Sequence, residues 1–165
     1  MSSIRSKVKC VFAHVLVAVW MIVIFCFSAQ PGEESADLSG GISHMFMSIL
    51  NQVFALGWDE SYVLEMAGVW DFPIRKLAHM TEFGILAVLI FVAIQYYNKI
   101  NTVKKRYIFA WLGAVCYAAT DEFHQLFVQG RSGNLFDVCV DSFGITIALA
   151  IICFLRRIYG RIRQL

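Results

Sequence analysis

The sequence predicts an all-α integral membrane protein with four transmembrane helices and an extracytoplasmic amphipathic helix between the first and second. Three observations predict this. Of the 165 residues, 59% are hydrophobic and only 16% are charged, against about 45–50% and about 25% in soluble domains. That is more apolar surface than one small core can bury. Charge-free runs of near-bilayer length recur along the chain, and almost all the bases lie on one side of them. The length allows a single domain, 1–165. A net charge of +2 with 15% aromatic residues excludes a disordered chain or a basic arm, so no nucleic-acid partner is expected. Cys10, Cys26, Cys116, Cys139 and Cys153 form no CxxC pair, which argues against a disulfide framework or a zinc knuckle.

The first span is the clearest. Cys10 to Ala29 holds no Asp, Glu, Lys or Arg, and its length of about 30 Å matches a hydrocarbon core. Arg5, Lys7 and Lys9 before it would suit a signal peptide, but the apolar run exceeds the usual h-region of about 7–15 residues. A retained helix over about 9–29 is the better reading. An outer loop, 30–74, follows. It is acidic, and Ile42, Met45, Phe46, Ile49, Leu50, Val53 and Phe54 recur in it at helical spacing. His44, Ser48, Asn51 and Gln52 fall on the other face, and Gly57 makes a stop. This segment reads equally as a helix on the outer leaflet and as one packed on its neighbours.

Phe83–Tyr97, Tyr107–Thr120 and Ser142–Leu155 are also free of acidic and basic residues, but each is only about 21–23 Å long, too short to cross alone. Each completes a span only if the acidic turn beside it also enters the membrane, which gives spans of about 77–97, 107–127 and 137–155. Arg5, Lys7 and Lys9, then Lys99, Lys104, Lys105 and Arg106, then Arg156, Arg157, Arg161 and Arg163 all fall on one side. The positive-inside rule makes that side cytoplasmic, with both termini inside. Arg75, Lys76 and Arg131 remain outside, where topology does not require them.

Three acids occupy one level. Glu82, Asp121 and Asp141 lie about 22–26 Å of helix rise from the cytoplasmic bases Lys99, Arg106 and Arg156, near the outer edge of the core. Facing lipid, each carboxylate would cost a few kcal/mol, so they are expected to face one another, a cavity, or Arg75, Lys76 and Arg131. Helical spacing gives each span one inward polar face: Arg75, Lys76, His79 and Glu82; Asp121, His124 and Gln125; Asp137, Asp141 and Gly144. Such a layer can be a structural ion-pair network. It can also be a site in which carboxylates and a histidine move protons, or one in which the bases hold a phosphate. His79, Glu82, Glu122 and His124 offer metal-ligand chemistry, but no HExxH-type signature accompanies them, and neither a metal nor a cofactor is assigned.

These residues form a recognisable pattern. Phe27-Ser28-Ala29-Gln30 closes the first span, and Arg75-Lys76-x-x-His79-x-x-Glu82-Phe83 opens the second. Asp121-Glu122-x-x-Gln125-x-Phe127 closes the third, followed by Arg131 and Asp137-x-x-x-Asp141-x-x-Gly144. The chain thereby resembles the VanZ-like family of bacterial membrane proteins from about Trp20 to Leu155. It departs from the pattern in having Ala29 for Ser, Phe83 for Tyr and Asp141 for Asn. The resemblance implies a multi-pass protein of the bacterial plasma or inner membrane. It also implies a link to resistance to teicoplanin, a lipoglycopeptide-type antibiotic that targets cell-wall precursors.

The resemblance further implies a site made of Arg75, Lys76, His79, Glu82, Asp121, Glu122, Gln125, Arg131, Asp137 and Asp141. The expected catalytic groups are His79, Glu82, Asp121 and Glu122. Arg75, Lys76, Gln125, Arg131, Asp137 and Asp141 are the expected substrate-binding groups. The expected partners are membrane lipid and an amphiphile, either a lipid-linked wall precursor or a lipoglycopeptide. A non-catalytic protein with a structural charge layer and a small proton-coupled transporter are the alternatives, and no oligomeric state follows.

Overall fold

The computed structural model describes residues 2–97, 100 and 102–162, without the side chains of 2, 3 and 160–162. Lys99 and Arg163, expected among the cytoplasmic bases, lie outside the described residues, as does the side chain of Arg161. The described residues form five helices and no strands: α1 (Ser2–Ser28), α2 (Gly32–Phe54), α3 (Glu60–Ile94), α4 (Val103–Gln125) and α5 (Leu135–Ile162). Three of them, α1, α3 and α5, are long and apolar enough to cross a membrane. α4, expected as the third of four spans, falls short on composition. Its 23 residues begin with Lys104, Lys105 and Arg106 and end near Asp121 and Glu122.

The outer segment 30–74 contains a helix where one is expected, α2, but the helix of the second span begins well before the expected residue 77 and forms a hairpin with it. α3 starts at Glu60 and runs 35 residues, about 52 Å, well beyond a hydrocarbon core. Three local features make this possible. The Asp59 side chain caps α3 by accepting from the Tyr62 amide at 2.8 Å, as N-cap carboxylates do. The Asn51 side chain bridges both backbone groups of Trp58, at 2.9 and 3.1 Å, and closes the turn. Pro73 removes one backbone bond inside the helix, but α3 packs on α2 before it and on α5 after it.

α2 begins ten residues before Ile42, and Ala55 ends it in the left-handed region at φ 49°. The face it turns to α3 is small, with Ser39 and Ser43 buried and Met47 packed on Val63 and Ala67. Its apolar stripe, Ile42, Met45, Phe46, Ile49, Val53 and Phe54, remains exposed. His44 bonds Glu60 at 2.8 Å and Ser43 donates to Asp71.

The bundle has a basic end and a polar end. His14 near the start of α1 hydrogen-bonds Tyr97 after α3, Tyr107 of α4 stacks on Phe91, and Arg156 of α5 lies over the same ring. The described bases Arg5, Lys7, Lys9, Lys104, Lys105, Arg106, Arg156 and Arg157 therefore gather at one end. Between the ends, Ala110, Ala114 and Ala118 form a fully buried small stripe on α4, packed in one cluster with Phe83, Leu86 and Phe91 of α3. Lipid is as apolar as these side chains, so close packing and hydrogen bonds, not water exclusion, hold such helices together. α3 and α5 approach closely, since a Cβ on Gly144 would stand 2.5 Å from the Met80 carbonyl oxygen. Trp20 donates to the Glu82 carbonyl, Tyr117 to the Met21 carbonyl and Trp111 to Thr146, at 2.7–3.0 Å. All five cysteines are free.

Candidate functional site

The polar end is built by the turn between α4 and α5. Gly130 adopts φ 74° there and lies against Gly32, where a side chain would collide with its backbone. The Gly32 amide donates to the Gln129 carbonyl at 2.9 Å. The next residue, Arg131, reaches to the end of α1. Its Nη2 donates to the Phe27 carbonyl at 2.9 Å and its Nε to the Gln30 carbonyl at 3.1 Å. The Phe27 carbonyl belongs to the last turn of α1 and also accepts from the Gln30 amide at 3.4 Å, and the negative end of the helix dipole there suits a guanidinium. Partial burial, and then the like charge of Arg75, hold Arg131 below its ordinary pKa.

α5 then starts on Asn134. Its side-chain oxygen accepts from the Asp137 amide at 2.9 Å, its Nδ2 donates to the Asp137 carboxylate, and its backbone N–H donates to Glu122 at 3.0 Å. This is a reciprocal cap that also fixes Glu122. Lys76 of α3 pairs with Asp137 at 2.5 Å, so the ion pair ties α3 to the first turn of α5. Sequence reasoning left open which acid each of Arg75 and Lys76 would meet; Lys76 meets Asp137 of α5. The same reasoning overlooked Asn134, although Asn134-x-x-Asp137 before an apolar run is a legible cap signal.

Between these groups lies a cavity of about 350 Å³. Arg75, Lys76 and His79 line it from α3, Glu122 and Gln125 from α4, and Asp137 and Asp141 from α5, with Arg131 and Asn134 from the turn. Ser35 of α2, which carried no sequence signal, also lines it. Arg75 has neither a hydrogen bond nor an ion pair among the described residues, so its guanidinium is a cation without a protein counter-ion. Asp141 is only 2% exposed, and its Oδ2 has no partner.

Two expected site residues stand apart. Glu82 does not line this chamber. It is 3.8 Å from His79 and borders an adjoining cavity of about 280 Å³. Asp121 is buried behind Gln125, which donates to it at 3.1 Å, and it lines neither cavity. His124 faces Phe25, outside the chamber. Among the described residues no three His, Cys, Asp or Glu side chains converge as metal ligands.

The chamber can receive a molecule that is anionic where it meets Arg75 and Arg131, and donor-rich where it meets Glu122 and Asp141. The profile of the VanZ/LLP1 family matches residues 13–156. No curated protein and no solved structure matches the chain. The chain belongs to the VanZ/LLP1 family, and the helices carrying that match are those of a membrane protein.

Proposed function

Starting from membership of the VanZ/LLP1 family, we propose that the protein is a four-pass bacterial plasma- or inner-membrane protein with both termini in the cytoplasm. Its chamber at the outer end holds the anionic head of an amphiphile. α4 is then the third span, its apolar middle packed against α3 and α5 and its charged ends at the two interfaces. One observation carries the reading: Arg75 is an uncompensated guanidinium beside Arg131, over a chamber that buries the unpartnered Asp141 Oδ2. Guanidinium groups bind phosphate oxygens as a fork, and a buried acceptor without a donor is completed by a hydroxyl or amine of the ligand. The amphiphile is a lipid-linked cell-wall precursor or a lipoglycopeptide, which gives the protein its role in resistance to teicoplanin. His79 with Glu82 is the pair that would move a proton were the bound head altered chemically.

The reading of the polar layer as purely structural is favoured by Lys76, Asp137 and Asn134, which satisfy one another. It gives no purpose to Arg75 or Asp141. A proton-coupled carrier is disfavoured by the buried apolar cluster of Ile24, Phe83, Leu86 and Phe91 below the chamber.

The test is teicoplanin susceptibility of a sensitive bacterium expressing the protein, Arg75→Gln or Asp141→Asn, with membrane levels matched by immunoblot. The native protein should protect and both variants should lose the protection at equal abundance. Undiminished protection by both would overturn the proposal.

A further inference from the structure

The chamber is not closed on all sides. The adjoining cavity of about 280 Å³ shares Ser35, Arg75, His79 and Arg131 with it, so these four side chains are all that need move aside between the two. Its character changes outward. The side shared with the chamber is charged, with Glu82 beside it, while Phe27 of α1, Leu38 and Ile42 of α2, and Ile74 and Ala78 of α3 make most of the remaining wall apolar, interrupted by Gln30 and Ser39. Phe27, Leu38, Ile42 and Ala78 are exposed on the outside of the bundle. Ile42 continues into the exposed apolar stripe of α2.

We infer that this opening is a lateral portal, through which an acyl-chain amphiphile of the outer leaflet passes its phosphate to Arg75 and Arg131 while its tail stays between α1, α2 and α3. The inference rests on the chamber being an anion site and adds the route and the part of the ligand that occupies it. The physical reason is desolvation. A chamber reached only from water would require every methylene of the tail to leave hydrocarbon, at a cost for each. A portal with an apolar wall and a charged floor lets the head move alone. The larger apolar groove along α3 and α5, lined by Leu77, Gly84 and Ile147 among others, shares no lining residue with the chamber. The Lys76–Asp137 ion pair ties the same two helices at the chamber.

The probe is a hexadecyl phosphate carrying a photoreactive diazirine in its tail, added to the full chain in phosphatidylcholine nanodiscs. Irradiation and peptide mass spectrometry read where the tail lies. Labelling should concentrate on Leu38, Ile42 and Ala78, and excess unlabelled hexadecyl phosphate should compete it away. Ala78→Trp, which fills the portal from an exposed position, should reduce the labelling about tenfold, as Arg75→Gln should by removing the head contact. Ile147→Trp, in the α3–α5 groove, should leave it unchanged. Competable labelling that collects on Ile147 and Ile151, or that survives Ala78→Trp while Arg75→Gln abolishes it, overturns the portal and leaves the anion site standing. Labelling insensitive to both Arg75→Gln and competition overturns the anion site and the portal together.

Discussion

Of the two arginines of the chamber, only Arg131 should be needed for stability. Arg131→Gln removes the donors to the Phe27 and Gln30 carbonyls. Charge-assisted hydrogen bonds contribute about 1.5–3 kcal/mol each, and partial exposure places these at the lower end, so the pair is worth about 3 kcal/mol. In a chain of this size about 1 kcal/mol moves the melting temperature by about 2–4 °C, which makes the expected fall about 6–12 °C. Arg131→Lys keeps the charge without the fork and should lose about half of that. Arg75→Gln breaks no bond and relieves the repulsion of Arg131, so its melting temperature should stay within about 2 °C of the native protein. The assay is intrinsic-fluorescence melting of all four proteins in one nanodisc composition without added anionic lipid. If Arg131→Gln melts with the native protein, or Arg75→Gln falls as far as Arg131→Gln, the division between a strap and a free cation is wrong.

Gly144→Leu should destabilise the bundle by about 1–3 kcal/mol or more, because its Cβ meets the Met80 backbone at 2.5–2.7 Å. Gly113→Ala, whose Cβ meets only the Ile90 side chain at 3.5 Å, should be neutral or stabilising in the same melt. Asn134→Ala should cost about 1 kcal/mol through loss of the α5 cap, read as faster hydrogen exchange at the Asp137 amide. Asp59 lies below the ordinary carboxyl value of 3.8 because the Tyr62 amide and then Ser61 donate to its ionised form. The cap is therefore complete above that value and is lost as the pH falls through the lowered one. Protection of the Tyr62 amide should drop in that range, and Asp59→Asn should show no such step.

The apolar runs were legible because a bilayer imposes a length and a composition on any helix that crosses it. That Arg75, Asp137 and Asp141 line one cavity was legible for a related reason: charged groups are costly near hydrocarbon unless they face a polar space, and helical spacing gives each one a face. What spacing could not give was partner choice. Lys76 sits one turn from His79 and nearly two from Glu82 on its own helix, yet it bonds Asp137 because the Gly144–Met80 contact brings α5 close. Arg131 resembles a ligand for carboxylates, but it donates to the Phe27 and Gln30 carbonyls at and just after the end of α1. The apolar stripe Ile42 to Phe54 made the later part of α2 legible; its start at Gly32 and the early start of α3 were not, because the face α2 turns to α3 buries serines and the stripe stays outside, the reverse of the soluble pattern.

The most direct measurement is the melting temperature of the protein in nanodiscs titrated with a phosphate-headed lipid, beside Arg75→Gln and Asp141→Asn. A ligand at about one hundred times its dissociation constant stabilises the folded state by about 2.7 kcal/mol, a rise of about 5–11 °C here. That rise should appear in the native protein, vanish in Arg75→Gln and shrink in Asp141→Asn, with phosphatidylcholine alone producing none. A flat titration in the native protein, or an equal rise in all three, would mean that the charged chamber serves only to hold the helices in place.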